Sequence, residues 1–260
     1  MVLPRTSANN PVSAQNGSGA IAVLSDIHSN WHALQAVLEE CEARGVKRFY
    51  SLGDIVGYGA NPSECLNAIR GLECPAVLGN HDQYVAFSTS TPNLNPMAQA
   101  GVEYSACMLA PGQRAWLGER PYVIHEGPAT LVHASLEAPK EWIYVLDAAS
   151  ADACLELQET AVCFNGHTHR PAIYCRKDLP VACDAGPLRF RVPTEGRTLV
   201  NPGSVGQPRD GNPRAQFVIF DPEEMMVELV RVPYDVTSAA TAILKAGLPS
   251  RLATRLLHGR

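Results

Sequence analysis

The chain has 260 residues, 46% of them hydrophobic, which is enough to bury a sizeable core and excludes a disordered or fibrous protein. Its formal net charge is −5 and no run of five or more Lys/Arg occurs, so capture of duplex nucleic acid by a broad basic surface is not expected. The eight cysteines, Cys41, Cys65, Cys74, Cys107, Cys154, Cys163, Cys175 and Cys183, are scattered without a C-x-x-C pair, and read as reduced thiols rather than a zinc site or disulfide framework.

Residues 1–18 are rich in Ser, Asn, Gly and Pro and lack the apolar core of a signal peptide, so they read as a flexible tail ahead of one domain over 19–260. No apolar run approaches the ~20 residues of a membrane span, so a cytoplasmic protein is expected. Ile21-Ala22-Val23-Leu24 has the texture of a buried strand. Ser25 to Asn30 is polar, and a helix follows from Trp31 to about Ala43, with Leu34, Val37, Leu38 and Cys41 on one face and Ser29 or Asn30 as its cap. Phe49 to Leu52 is a second strand, Gly53 to Gly59 a glycine-rich turn, and Asn61-Pro62 opens a second helix. Pro75 to Leu78 is a third strand. Residues 88–120 read as helical. Thr130 to His133 and Val162 to Phe164 are further strands that run directly into histidines.

After Arg170, short β-like runs at 172–175, 188–192, 198–201, 216–220 and 226–232 suggest a second, largely antiparallel sheet. A helical pair at about 236–246 and 248–257 ends the chain. The recurring strand, polar loop and helix predict an α/β fold, a four-layer α/β/β/α sandwich with two mixed sheets. Its ligand site belongs at the C-terminal ends of the strands.

The polar residues that follow those strands are Asp26 and His28, then Asp54, then Asn80, His81 and Asp82, then His133, then His167 and His169. All are carboxylates, a carboxamide or imidazoles, the donor types of a dinuclear metal site: anionic oxygens hold two cations together, and neutral imidazoles complete each shell. In Asp26-x-His28 and His167-x-His169 the two side chains of an extended segment point the same way and can grip one region. Any one of these histidines alone reads more readily as a hydrogen-bonded core residue. Together, each behind a strand, they reverse that preference. His32, His125 and His258 lie outside the pattern: His32, one turn from His28, could line the pocket rim but reads more readily as a surface helix histidine, His125 and His258 receive no role, and Trp31 reads as helix packing.

Asp26-Ile27-His28, Gly53-Asp54-Ile55-Val56-Gly57, Gly79-Asn80-His81-Asp82, the lone His133 and Gly166-His167-Thr168-His169 resemble, in order, the signature of calcineurin-like metallophosphoesterases. The resemblance runs from about residue 21 to 206. It implies a metal-dependent phosphohydrolase with two divalent or mixed-valence transition-metal ions (manganese, iron, nickel, cobalt or zinc). One ion would be held by Asp26, His28 and His169 and the other by Asn80, His133 and His167, with Asp54 bridging both. His81 matches the histidine that protonates the leaving oxygen, and Asp82 would orient it. Gly57 stands where Asp is frequent, and Asp82 where many members have Glu; neither departure removes a ligand.

Asn201 to Asp210 reads in two ways that the sequence leaves open. Its Gly and Ser amides could form an anion nest with Arg209 clamping a phosphate, or it is a turn-rich connection with a solvated Arg209–Asp210 pair. Together with Gly53 to Pro62 it resembles a bacterial subgroup described as diadenosine tetraphosphatase-like or YfcE-like phosphodiesterases. A small phosphorylated substrate, such as a dinucleoside polyphosphate or another nucleotide, is therefore the expected partner, with no duplex nucleic acid and no membrane. Assembly into a homo-oligomer is compatible with the sequence. The alternatives are a protein serine/threonine phosphatase and, from another class, a scaffold of the same fold with a weakened site, as in the retromer phosphoesterase-like subunit. Here every ligand position is filled.

Overall fold

The computed structural model describes residues 19–88, 94–176, 178–182 and 189–260, so the stretch read as a tail and Cys183 lie outside the described residues. Numbered along the chain, one sheet has the strand order β2 (Arg48–Ser51), β1 (Ile21–Leu24), β10 (Ala215–Asp221), β11 (Met226–Val232) and β8 (Arg189–Arg191). The other runs β3 (Val123–Glu126), β4 (Ala129–Val132), β5 (Val162–Phe164), β9 (Thr198–Asn201), β6 (Ala172–Cys175) and β7 (Asp178–Ala182). Parallel pairs, β1 with β2 in the first sheet and β4, β5 and β9 in the second, are flanked by antiparallel ones, so both sheets are mixed.

The period-2 alternation of the strands explains the layers. Ile21 and Val23 point inward with Val218 and Phe220 to meet Leu131, Phe164 and Val200 of the other sheet. Phe164 and Phe220 meet edge to face, 5.3 Å between centroids. Ala22 and Leu24 point the other way with Phe217 and Ile219, and helices cover them. These are α1 (Trp31–Ala43), α2 (Pro62–Gly71), α3 (Asn80–Phe87), α4 (Pro96–Met108) and α5 (Pro111–Gly118). The outer face of the second sheet packs Val132, Cys163 and Leu199 against Ala151, Cys154 and Leu155 of α6 (Ala148–Leu157). This is the four-layer sandwich expected. The terminal pair, α7 (Val236–Lys245) and α8 (Ser250–His258), packs together over Tyr58 and Ala98.

Two expectations need correction. Pro75 to Leu78 is not a full strand: only Ala76 pairs, in one parallel bridge to Ser51. Pro75 has no N–H to donate to a ladder, and Leu78 already donates to Pro121 O at 2.8 Å, away from the sheet. The β-like runs after Arg170 do not form a sheet of their own either. β8, β10 and β11 extend the first sheet, while β6, β7 and β9 extend the second. Asn30 caps α1, accepting from Ala33 N at 3.2 Å. Cys41, Cys65, Cys74, Cys107, Cys154 and Cys163 are free thiols, as read. No helix among the described residues is long and apolar enough to cross a membrane.

Candidate metal centre and its rim

The two sheets end side by side, and the loops at their strand ends converge. Asp26 and His28 follow β1, Asp54 follows β2, His133 follows β4, and His167 and His169 follow β5; Asn80 and His81 open α3. All of these side chains are buried. Asp26, His28, Asp54, His167 and His169 all have φ between 47° and 67°. Non-glycine residues pay of order 1–3 kcal/mol each in that left-handed region, and persist there only where the surroundings over-determine them. Cross-bracing between the loops does so: Asp26 N donates to Gly53 O (3.2 Å), His28 N to Asp54 O (2.9 Å) and Ser29 N to Ile55 O (2.9 Å). Gly79 lets α3 start against this loop, since a Cβ there would lie 2.2 Å from Asp54 N.

The imidazoles are aimed by main-chain carbonyls. His28 Nδ1 donates to Val56 O (3.1 Å), His133 Nδ1 to Leu52 O (2.8 Å) and His169 Nδ1 to Gln207 O (2.7 Å). Each donation fixes the tautomer and turns the opposite nitrogen toward the cluster. His28 Nε2 thus faces His169 Nε2 at 3.1 Å, and both carry lone pairs. Asp26 Oδ1 lies 3.2 Å from His169 Nε2 and has no hydrogen-bond partner. Three acceptors pointed at one another in a buried place repel unless a cation lies among them, so this corner fits a metal ion.

A second corner repeats the pattern. His133 Nε2 lies 3.2 Å from His167 Nδ1 and 3.2 Å from Asn80 Oδ1. Asp54 joins the two, with Oδ2 at 3.6 Å from His28 Nε2 and 3.4 Å from His133 Nε2, while its Oδ1 accepts from His81 N at 2.8 Å. The candidate ligand groups Asp26, His28, His169 and Asp54, His133, His167 each bring their donor atoms within 4.8 Å of one another; His28, Asp54 and His81 do the same. The donor set suits manganese, iron, cobalt, nickel and zinc alike.

Electrostatics follow from burial. Burial pushes the Asp54 carboxyl up, but His133, His81 and His28 together outweigh it and hold it well below the usual carboxylate range. Burial lowers His133 too, but Asp54 and Asp26 lift it to about 9. Without a cation, a proton on His133 balances Asp54. Burial raises Asp26 to about 6, assisted by the Asp54 charge, and lowers His81 to about 4 and His167 to about 3. His28 and His169 are held neutral by the same loss of water.

Asp82 does not orient His81 as expected. Its oxygens accept from Val56 N (3.1 Å) and Gly79 N (3.3 Å), so it ties the β2–α2 loop to the start of α3, while His81 Nδ1 has no hydrogen-bond partner. Burial, then the Asp54 charge, pushes Asp82 up to about 7. What seats the His81 ring is Gly57, with φ +92° and a notional Cβ 2.4 Å from His81 Nδ1, which explains why Asp is absent there.

The anion nest is also overturned. The amides of 203–207 are engaged inside the protein, those of Val205 and Gly206 by Ser25 O and Asp26 O at 3.0 Å, that of Gln207 by Ser204 Oγ at 2.8 Å. The segment clamps the β1–α1 loop. The Arg209–Asp210 pair is absent too, because Asp210 binds Arg231 at 2.6 Å.

Sequence reasoning missed the rim. The Tyr58 ring packs edge-on against His28 (4.7 Å) and tilted against His81 (4.5 Å). Tyr144 stacks on His167 at 3.9 Å, and Trp142 meets His133 edge-on at 5.8 Å. Tyr58 sits inside the quoted glycine-rich turn, where its ring could have been noticed. Trp142 and Tyr144 lie on the loop between β4 and α6, which carries no motif. His32, for which the pocket rim is the less favoured reading of the sequence, lines a cleft with His28, Tyr58 and Gln207.

This fold and these candidate metal-ligand groups have the character of a metal-dependent hydrolase, and the comparisons agree on that class. The calcineurin-like phosphoesterase superfamily domain matches residues 20–225, and the chain belongs to that superfamily. It is a metal-dependent phosphoesterase. An uncharacterized protein of Methanocaldococcus jannaschii is 36% identical over 244 residues, 92% of this chain and 98% of that one. The crystal structure of a metallophosphoesterase from Sphaerobacter thermophilus matches with a TM-score of 0.84 at 36% identity, over 93% of this chain and 99% of that one. A symmetrical bis(5'-nucleosyl)-tetraphosphatase of Actinobacillus succinogenes is 29% identical over 143 residues, so the likeness spans 50% of this chain and 47% of that protein.

Proposed function

We propose that this phosphoesterase hydrolyses a phosphoanhydride or phosphodiester of a small nucleotide, with dinucleoside polyphosphates the leading candidates. The observation that carries this reading is Arg209. Its guanidinium stands 5.7 Å from the Tyr58 ring centroid beside the cluster, its Nε is buried without an acceptor, and no Asp or Glu among the described residues pairs with it. A guanidinium left without a carboxylate next to a phosphoryl site suits an additional phosphate. The partial likeness to a tetraphosphatase points the same way.

In this reading Asp26, His28 and His169 would hold one cation and Asn80, His133 and His167 the other, with Asp54 placed between the two groups. When bound, the cations would supply Lewis-acid activation of water and neutralise charge on the phosphoryl oxygens. His81 delivers the proton to the leaving oxygen. Burial keeps its ring neutral at rest, and an anionic phosphate arriving beside it raises its proton affinity. Asp82 keeps the loop that seats His81 in place.

The test is a substrate panel run with the manganese-loaded enzyme. Diadenosine tetraphosphate should exceed a phosphopeptide in kcat/KM by at least about tenfold. Arg209→Ala should lower turnover of the tetraphosphate more than that of bis(p-nitrophenyl) phosphate. Equal losses on both would make Arg209 structural, and preference for the phosphopeptide would favour a protein phosphatase.

A further inference from the structure

The last helix brings a second guanidinium to the rim. Arg255 of α8 lies 5.9 Å from the centroid of the same Tyr58 ring that Arg209 approaches at 5.7 Å. Their spacing is built in. Leu252 and Leu256, on either side of Arg255 in the helix, are buried in a cluster with Tyr58, and Gly211 N donates to Gly259 O at 2.9 Å, tying the end of α8 to the segment that carries Arg209.

Neither cation has an Asp or Glu side chain as partner among the described residues. The neighbouring Asp210 is taken by Arg231 at 2.6 Å and Gln216 at 2.9 Å. Arg209 Nη2 donates to Gln207 Oε1 at 2.9 Å, and Arg255 Nε donates to a carboxylate oxygen of Arg260, the last residue of the sequence given. Burial, then the Arg209 charge, lowers the proton affinity of Arg255. Two guanidiniums partly out of water around one aromatic ring, Arg209 without an anionic partner and Arg255 with one at its Nε alone, leave donors that a bound anion would take up.

We propose that Arg209 and Arg255, set on the Tyr58 ring, form a second anion subsite, which takes a phosphate group of the substrate other than the one attacked at the metal-ligand cluster. The ligand class is linear polyphosphate, free or esterified, with at least two linked phosphates; a monophosphate ester leaves the subsite empty. The substrate side of this proposal rests on the anhydride reading above, whereas the anion site does not.

The test titrates inorganic tripolyphosphate into the metal-stripped full-length protein by calorimetry at fixed salt. Arg255→Gln should weaken binding by at least about tenfold, the loss expected for a charge-assisted contact, and Arg255→Lys should recover part of it. Equal affinity in wild type and Arg255→Gln, or no binding by wild type, overturns the subsite. Should Arg255→Gln not fold, the wild-type Arg255 Nε–Hε resonance must shift on titration, and an unshifted resonance overturns it. Weakened tripolyphosphate binding in Arg255→Gln, with no anhydride turned over by the holoenzyme, upholds the subsite and sinks the anhydride substrate. Equal kcat/KM for diadenosine tetraphosphate in wild type and Arg255→Gln sinks the subsite and leaves that substrate standing.

Discussion

The ligand cluster and the rim around it rest on different physics. In the cluster Asp26, Asp54, His28, His133 and His169 are at most 2% exposed. Each imidazole there is pinned to a named carbonyl, and each carboxylate faces one or two imidazoles. Such a side chain has one place to be, and removing it strands buried partners, which is costly. On the rim, Tyr144 is 45% exposed, and the contacts of Tyr58, Tyr144, Arg209 and Arg255 include ring faces and cation–π approaches. Contacts of that kind contribute about 0.5–1 kcal/mol at exposed sites and about 2 kcal/mol where desolvated, as around the buried Tyr58. The difference assigns chemistry to the cluster and choice of substrate to the rim: cluster changes should strike every substrate, rim changes only some.

His81 tests that division most severely, because it is buried with the cluster yet assigned to proton delivery. His81→Ala should keep its metals. It should lose ~10²–10⁴ on substrates with alkoxide leaving groups and little on nitrophenyl esters, whose leaving group needs no proton. Metal analysis with rates across leaving groups of graded pKa decides it. A lost metal, or one uniform factor for all substrates, would make His81 a ligand or a general binder.

Gly57→Ala comes next. The added Cβ would meet His81 Nδ1 at 2.4 Å on a backbone with φ +92°. The displaced ring should cost about 10² in kcat, as small misplacements of reacting groups do, on the same alkoxide substrates. Unchanged rates would show that the His81 ring needs no seat.

A smaller effect concerns pH. His133 is lifted from 6.5 to about 9 in the metal-free fold. A raised pKa means the stabilisation is full below the unfolded value and is lost as pH rises through the folded one. The Tm of the metal-stripped protein should therefore fall between about pH 7 and 9, and His133→Asn should flatten that fall. With metal present the trend should reverse, because the cation competes with the same proton. A flat wild-type profile would contradict the Asp54–His133 pairing.

The smallest change is expected at Tyr144→Leu, within about 0.5 kcal/mol of wild-type stability as for other surface substitutions, with the same metal content but altered KM. Loss of metal there would move Tyr144 from rim to cluster.

The same division explains what could be read from the chain alone. Asp26, His28, Asp54, Asn80, His133, His167 and His169 each stand directly behind a strand or at a helix start, and donor types repeated at such positions reveal a site without coordinates. Arg255 could not be found that way: an arginine on the polar side of a terminal helix reads as solvated until the helix is packed on Tyr58. The role of the segment 203–207 stayed open because the partners of the Val205 and Gly206 amides, Ser25 O and Asp26 O, lie far away in sequence. The late strands were recognised but not allotted, since alternation reveals which residues face a core and not which sheet they join.

The central claim is that Asp54 couples two cations in the cluster while the rim holds none. Metal content per chain, measured on wild type, Asp54→Ala and Arg209→Ala after identical manganese loading, tests it directly. The account predicts two ions in wild type and in Arg209→Ala. In Asp54→Ala both should be lost, along with almost all turnover, while circular dichroism shows the fold retained. Two ions and full activity in Asp54→Ala would contradict it.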